Sequence, residues 1–350
     1  MKAIVIHEYG PPDVLKYEDV PDPIPRQGEI RVVVHGATIN RTLDVSLRAG
    51  GQTHRGITLP IIPGVDCAGV VDMVGPAVTR WKIGDHVAAA GRMPLDPAPE
   101  FAAPDGSDYG GPSGMIGVKR NGGFAEKIVI PACAADALPK SLDLHEAAVV
   151  LRHCPTAWNL LVNIAQLKKD EWVLIMGASG NLGSIGIQIA KNVIGAKVIA
   201  TAGSADRAAI GTKLGADYAI DYAKQDLLAE VMKITGGKGV HVLYDNIANP
   251  KILPIAFHCI GEYGRMVTAG AHGGPNATID FFHLYDKKIT IRGMPGSDPD
   301  DRPKCYAAAA ESKIKVQIAH VLPLSKAADA HRMVEADPGM GKIVLDPTLG

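Results

Sequence analysis

The sequence predicts an α/β chain in two parts: a mostly-β, barrel-like unit and a doubly wound parallel sheet. Three observations predict it. Early in the chain, short β-like runs alternate with turns rich in Gly and Pro. From Ser141 onward, strand-like runs alternate with helical stretches. Within that second region, Trp172 to Gly186 reads W-V-L-I-M-G-A-S-G-N-L-G-S-I-G, a strand that breaks into a glycine turn and then takes on helical period.

The elements follow in order. Lys2–His7, Glu29–Ala37, Ala68–Val74, His86–Ala90 and Ala125–Ile130 read as the strands of the first part, with Pro11-Pro12 and Pro21-Asp22-Pro23 marking turns. Gly91–Gly123, rich in Gly, Pro and Asp, reads either as a flexible lobe or as a loop over a site. Leu144 to Ala148 opens a helix. The parallel-sheet strands are Val173–Met176, Lys197–Thr201, Tyr218–Ile220, Val240–Tyr244, Gly264–Ala269 and Lys288–Arg292. The tail holds a strand (Ile318–Leu322), a helix (Ser325–Ala336) and a last strand (Lys342–Leu345). A lone hairpin-like tail needs a sheet to join, so it is expected to return to the first part. The domains are then 1–135 with 306–350, and 136–305.

Bulk composition excludes several classes. The chain has 350 residues, 47% hydrophobic, with a formal charge of -1. No charge excess points to nucleic acid or a membrane surface, and no apolar run is long enough to span a bilayer. The apolar stretch Met1 to Ile6 is too short for a signal peptide and reads as a first strand. Five scattered cysteines (Cys67, Cys133, Cys154, Cys259, Cys305) suit a reducing cytoplasm better than a disulfide framework.

The glycine turn carries the function reading. A helix start leaves backbone N–H groups unpaired and carries partial positive charge, so it attracts phosphate. Gly180 lets phosphates approach the backbone, and Gly183 lets the helix pack tightly on the strand. With the second strand following at βαβ distance, Ala178, Ser179, Gly180, Asn181, Leu182 and Gly183 are read as the cradle of a dinucleotide pyrophosphate. Glycine turns also join strands to helices for structural reasons alone.

Several motifs occur in one order: Lys2-Ala3-Ile4-Val5; Pro63-Gly64-Val65-Asp66-Cys67-Ala68-Gly69-Val70-Val71 with Gly75 and Gly84-Asp85-His86-Val87; Gly122-Gly123-Phe124-Ala125-Glu126; Ala147-Ala148 with Thr156-Ala157-Trp158; Gly270; and Gly341-Lys342-Ile343-Val344-Leu345. In these the whole chain resembles the medium-chain dehydrogenase/reductases, and is most similar to their zinc-free quinone-oxidoreductase and enoyl-reductase branch. The resemblance implies a GroES-like mostly-β barrel domain plus a Rossmann domain.

Zinc members of that family carry a Cys–His–Cys-type set, and the matching positions here are Asn40, Val65 and Arg152. None suits zinc, which takes thiolate, imidazole or carboxylate. The Gly91–Gly123 stretch contains no cysteine for the family's structural metal. No zinc is expected. Cys67, His86, His153 and Cys154 leave a rearranged site as the lesser alternative, Cys67 reading better as core.

An NAD site usually ends its second strand in Asp or Glu, to hold the ribose 2′-hydroxyl. Here Ala202 takes that position. Ser204 can donate a hydrogen bond to a 2′-phosphate, Arg207 a charge-assisted one, and Tyr222 sits where relatives place a tyrosine near it. NADP(H) is expected, although Asp206 argues mildly against it and Arg207 alone would pass for a solvated surface residue. Asn246, and Gly270 with Ala271, lie at strand ends where ligands sit in such sheets, and are read as further cofactor contacts.

Without a Lewis acid, a conjugated carbonyl or quinone is an easier hydride acceptor than an alcohol's aldehyde. Asn40, Asp44, Arg152 and Thr156 are the candidate catalytic residues. Asn40, Arg152 and Thr156 are possible donors to the oxygen, with Thr156 alternatively touching the nicotinamide. Arg152 reads either as a cation for an anionic substrate or enolate, or as the ion-pair partner of a carboxylate such as Asp44. His153 reads as a proton donor or as structural.

The expectation is an NADPH-dependent, zinc-independent reductase of a small-molecule quinone or α,β-unsaturated carbonyl. The alternatives are an alcohol or aldehyde dehydrogenase with a rearranged zinc site, and a non-catalytic nucleotide-binding protein. Lys288–Gly293 is an expected sheet edge. Relatives pair this strand across a two-fold axis, which implies a homodimer.

Overall fold

The computed structural model describes residues 1–105, 107–108, 110–294, 296–336 and 341–350. Contacts divide the chain into two units, Met1–Arg152 with Val316–Gly350, and His153–Lys315.

The first unit opens with β1 (Lys2–Ile6) antiparallel to β2 (Leu15–Asp19), a strand the Pro-rich surroundings conceal in the sequence. β3 (Glu29–Thr38) is the spine of a larger sheet. Its Ile30, Val32 and Val34 are buried while Arg31, Val33 and His35 are half-buried, the period-2 pattern of a pleated strand rich in β-branched residues. A wide turn at Arg41–Val45 and the short α1 (Ser46–Arg48) follow. β4 (Asp66–Val74) pairs antiparallel with β3 and with β5 (His86–Ala90). The Gly91–Gly123 stretch is not structureless: β6 (Arg92–Pro94) and β7 (Ser113–Met115) form an antiparallel pair within it. β8 (Lys127–Pro131) lies on β3, and β9 (Asp136–Ala137) on β5. Ile4, Ile6, Ile30, Val34, Phe124 and Ile130 centre the core of this unit.

α2 (Leu144–Trp158) leads into the second unit. There β10 (Trp172–Met176) is apolar throughout, as a strand covered on both faces must be. α3 (Asn181–Gln188), β11 (Lys197–Ala202), α4 (Ala205–Lys213), β12 (Tyr218–Asp221), α5 (Leu227–Ile234), β13 (Val240–Tyr244), α6 (Leu253–His258), β14 (Ile260–Thr268), α7 (Phe281–Asp286), β15 (Thr290–Gly293) and α8 (Asp301–Ala310) follow. The strands form one parallel sheet in the order β12-β11-β10-β13-β14-β15. The order reverses at β10, the switch point where open α/β sheets bind ligands. β15 is the sheet edge, and all four of its residues are exposed.

The tail returns to the first unit through β16 (Ile318–Pro323), α9 (Ala327–Ala336) and β17 (Lys342–Asp346). It is not a hairpin. β16 and β17 run parallel, with α9 as the crossover, and β17 pairs antiparallel with β3. A helix between two strands is the connection parallel pairing requires.

The units divide at 152/153 and 315/316, where the texture of the sequence places divisions at 135/136 and 305/306. The first half of α2 belongs with the barrel because His145 Nε2 lies 2.8 Å from Asp346 Oδ2 and Arg152 pairs with Asp66. α8 belongs with the parallel sheet because Asn163 Nδ2 donates to Asp301 Oδ2 at 2.9 Å. Among the described residues, no helix is long and apolar enough to cross a membrane.

Candidate active site and cofactor turn

In the second unit, the turn after β10 is pinned by backbone alone. The N–H groups of Gly177 and Ala178 both donate to Thr201 O, at 2.9 and 2.8 Å, and Gly180 N–H donates to Gly177 O at 3.0 Å. Gly177 has a φ of 79°, a left-handed conformation that favours glycine. A Cβ on Gly183 would stand 2.0 Å from Gly177 O, so only glycine lets α3 start this close to the strand. Gly180 is the cap residue of α3 and gives it no side-chain hydrogen bond. The first N–H groups of α3 therefore have no cap from its side chain, as a phosphate cradle requires. The Tyr244 hydroxyl donates to Leu182 O at 3.2 Å and fixes the other side of the helix start.

At the end of β11, Ala202 is buried, and Ser204 caps α4 with its backbone while its side chain makes no cap bond. Arg207, in the first turn of α4, is exposed, and so is Asp206. A Cβ on Gly203 would lie 3.1 Å from the Tyr222 hydroxyl, so Tyr222 stands against this strand end. Asn246 Oδ1 accepts the Ala269 N–H at 2.7 Å, tying the end of β13 to the end of β14, next to Gly270 and Ala271. The cofactor residues read from the sequence thus gather at the carboxyl ends of β10, β11, β12, β13 and β14. Thr156 is half-buried on α2.

In the first unit the positions of Asn40, Val65 and Arg152 do come together, around a residue the sequence reading passed over as part of a motif. Asp66 is fully buried. Arg152 Nε donates to Asp66 Oδ2 at 3.0 Å, and Nη2 reaches Oδ1 at 2.5 Å. Nη2 also donates to Val65 O at 3.3 Å. The ion-pair partner of Arg152 is thus Asp66, not Asp44: Asp66 follows Val65 on the start of β4, directly under the guanidinium. Asn40 Nδ2 donates to Asp66 Oδ2 at 2.7 Å and to Asp44 Oδ2 at 3.1 Å. Asp44 is fully buried and accepts the backbone N–H groups of Asn40 (2.8 Å) and Val65 (3.2 Å), so its carboxylate holds two backbone segments in place.

A fourth charge completes the cluster. Lys342, at the start of β17, is 6% exposed, and its Nζ donates to Asn40 Oδ1 at 2.6 Å. A lysine opening a strand whose five residues are all buried is the signal that marks it, though it needs the fold to be seen. Burial, with the charge of Asp66 added, pushes Asp44 up to about 6. Burial pushes Lys342 down to about 8 against the pull of Asp66 and Asp44. Burial also works against the charge on Arg152, but Asp66 outweighs it and holds the group above its ordinary value. Cys67 is buried core, its thiol pushed up to about 12 by burial and then by Asp66. Among the described residues, no three His, Cys, Asp or Glu side chains are grouped to hold a metal ion.

Comparison with known proteins agrees with this architecture. The model of the alcohol dehydrogenase GroES-like domain matches residues 26–140, and that of the zinc-binding dehydrogenases residues 182–312. Human quinone oxidoreductase is 27% identical over 99% of this chain and 97% of its own. A 2-haloacrylate reductase of Burkholderia is 30% identical over 99% of this chain and 98% of its own. The crystal structure of an NAD-dependent alcohol dehydrogenase is 33% identical, covers 99% of both chains and superimposes with a TM-score of 0.86. The chain belongs to the medium-chain dehydrogenase/reductase superfamily, in its quinone-oxidoreductase-like branch. It is an oxidoreductase, with a GroES-like domain and a Rossmann-like parallel-sheet domain.

Proposed function

We propose that this protein is an NADPH-dependent, zinc-independent reductase of a quinone or an α,β-unsaturated carbonyl. The observation that carries this reading is the set Asn40–Asp66–Arg152–Lys342. Where a catalytic zinc would need three donors, the chain places an amide, an isopropyl group and a guanidinium, with an ammonium 2.6 Å from the amide. Neither an amide nor Val65 replaces imidazole or thiolate, and the carboxylates of the set are engaged by Arg152 and Asn40. No step therefore runs through a metal.

The turn from Ala178 to Gly183 fits a pyrophosphate, because Gly180 leaves the backbone before the helix start open to a close approach and Gly183 lets α3 begin hard against Gly177 O. Ser204, Arg207 and Tyr222 suit a 2′-phosphate, and the buried Ala202 removes the carboxylate that would repel one. Asn246, Gly270 and Ala271 border the cofactor at the neighbouring strand ends, and Thr156 is a contact to the nicotinamide or the substrate oxygen. NADPH, when bound, supplies the hydride. The protein orients the acceptor and offers donors to the oxygen that gains charge. Arg152 is the donor still available: its Nε and Nη2 are committed to Asp66 and Val65, its side chain is 21% exposed, and Nη1 has no partner among the described residues. Asn40 donates to the Asp66 carboxylate that pairs with that guanidinium, and Asp44 holds the backbone N–H groups of Asn40 and Val65. The Burkholderia relative is named for an α,β-unsaturated carboxylate, which is consistent with such a donor.

NADPH oxidation measured with a panel of quinones and enones tests the reading, alongside zinc analysis of the purified protein. Turnover with metal-free protein is expected. Zinc at about one per chain would replace this reading with an alcohol dehydrogenase. No turnover with any member of the panel, despite NADPH binding, would favour a nucleotide-binding protein without catalysis. We also propose a homodimer through β15, whose residues are all exposed at a sheet edge beside Phe281, Phe282 and Tyr285 at 73%, 65% and 67% exposure. A monomeric mass in solution would refute that arrangement.

A further inference from the structure

Lys342 is given no contact with substrate or cofactor in the chemistry just described, yet its ammonium is buried in the first unit's polar cluster. An ammonium only donates hydrogen bonds, and a carboxylate only accepts them. Asn40 lies between the two kinds. Lys342 Nζ, 2.6 Å away, must face the amide oxygen, so the amide nitrogen must face Asp66 and Asp44. Without Lys342, nothing on the oxygen side selects that orientation. Asp66 Oδ2 is shared by Asn40 Nδ2, Arg152 Nε and, at 3.2 Å, the Thr38 hydroxyl. The guanidinium is held along one edge by two hydrogen bonds, Nε to Asp66 Oδ2 and Nη2 to Val65 O, with Nη2 also ion-paired to Asp66 Oδ1. A planar group held at two points along one edge has its plane fixed, and with it the direction of Nη1.

We propose that Lys342 is a positioning residue: by setting the Asn40 amide it fixes Asp66, and through Asp66 the angle at which Arg152 presents Nη1 to the substrate oxygen. The assignment of that oxygen rests on the reductase reading above, while the chain Lys342–Asn40–Asp66–Arg152 does not. Four segments distant in sequence act as one rigid polar unit, in the way outer partners orient the direct contacts of a site.

The test uses full-length protein and two readouts. The first is the Nε–H resonance of Arg152 in a ¹⁵N spectrum, identified by its loss in Arg152→Lys, with its rate of exchange with solvent. The second is steady-state kinetics with a quinone and NADPH. In Lys342→Met the Arg152 Nε–H is expected to exchange faster. kcat/KM for the quinone should fall by roughly 10- to 100-fold, the range seen when an outer partner of a site is removed, while KM for NADPH stays unchanged. Lys342→Arg, which keeps a cationic donor, should recover much of the loss. Asn40→Ser cuts the link without removing the charge and serves if Lys342→Met does not fold; it should give the same change in the Arg152 resonance. An Arg152 resonance unaltered in either variant overturns the proposal. So does a quinone kcat/KM in Lys342→Met equal to that of the wild type. If the wild type reduces no quinone or enone while the variants show the resonance change, the reductase reading falls and the positioning chain stands.

Discussion

The glycine turn of the second unit and the polar cluster of the first are built on opposite plans. The turn is seven consecutive residues, Gly177 to Gly183, shaped by backbone hydrogen bonds to Thr201 and by the absence of side chains. The cluster is made of side-chain charge, drawn from β3 and the turn after it, the start of β4, α2 and β17. A backbone device costs little electrostatically and is insensitive to pH. A buried set of two carboxylates and two cations is favourable only while complete.

The largest expected effect breaks the cluster. Asp66→Ala removes the carboxylate that pairs with Arg152 and leaves Asp44 alone against two buried cations, and removing one partner of a buried charged set costs about 3–5 kcal/mol. Denaturant unfolding should show a loss of that size. If Asp66→Ala costs no more than a surface substitution, the cluster is more hydrated than its burial implies.

The same contrast explains what the sequence made legible. The turn could be read because its residues are contiguous and their spacing is the signal. Of the six parallel strands, β10 could be read because it is an unbroken apolar run, while the others, down to the wholly exposed β15, were read from their alternation with helical stretches. Asn40, Val65 and Arg152 were found by resemblance, not by pattern. Asp66 and Lys342 stood in plain sight inside quoted motifs, but nothing local says that a lysine before Ile-Val-Leu is buried, or that an aspartate beside Val65 meets an arginine 86 residues on. That Asp44 is not the partner of Arg152 is likewise a fact of topology. β2, between Pro-rich turns, and the β6–β7 pair were invisible because short, half-exposed strands carry no apolar period. The crossover of the tail looked like a hairpin because a strand–helix–strand run does not state which way the last strand points.

The next effect tests the turn. Gly183→Ala forces a methyl to within 2.0 Å of a backbone oxygen that cannot yield without moving the turn. Overpacking of this kind costs about 1–3 kcal/mol, and NADPH binding should be lost with it. Gly180→Ala is the control within the same turn. Its Cβ would meet only Gly177 O at 3.4 Å, so stability should hold while any loss appears in cofactor affinity alone. Calorimetric titration with NADPH beside a melting curve separates the two. Equal destabilisation by both substitutions would show that the turn, not the close approach of α3, is what glycine serves.

The first unit also holds a buried histidine that should make it respond to acid where the turn does not. His331 on α9 is fully buried, neither ring nitrogen has a hydrogen-bond partner among the described residues, and Phe124 meets it edge-on at 6.1 Å. Burial, helped by the charge of Arg48, pushes it down to about 3. Between that value and the ordinary one near 6.5, the unfolded chain binds a proton that the folded protein refuses. The stability from the neutral ring is therefore present above about pH 6.5 and drains away as pH falls, by about 1.4 kcal/mol per pH unit. Asp44 acts with the opposite sign: raised to about 6, it favours the folded state as acid is added and loses that contribution as pH rises from about 4 to 6. His331→Leu removes only the first contribution. The stability of the variant relative to wild type should improve steadily as pH drops from 6.5 to 5, in urea melts at fixed salt. A constant difference across that range would mean that the ring is hydrated or protonated in the folded protein.

The smallest expected effect lies at the far end of the cofactor turn, where the backbone plan gives way to side chains. Ser204 and Tyr222 stand at the strand end, but only Arg207 brings charge to a 2′-phosphate, and it is exposed, where an ion pair is worth little unless it is bidentate. Arg207→Ala should therefore weaken NADPH by about 10-fold, or 1.4 kcal/mol, at low salt, and leave NADH unchanged. The gap should narrow as salt is raised, because an exposed charge pair is screened. Equal affinities for the two cofactors in the wild type, or an equal loss of both in the variant, would place Arg207 in the solvent and remove the charge-based case for NADPH, while leaving the pyrophosphate turn as it stands.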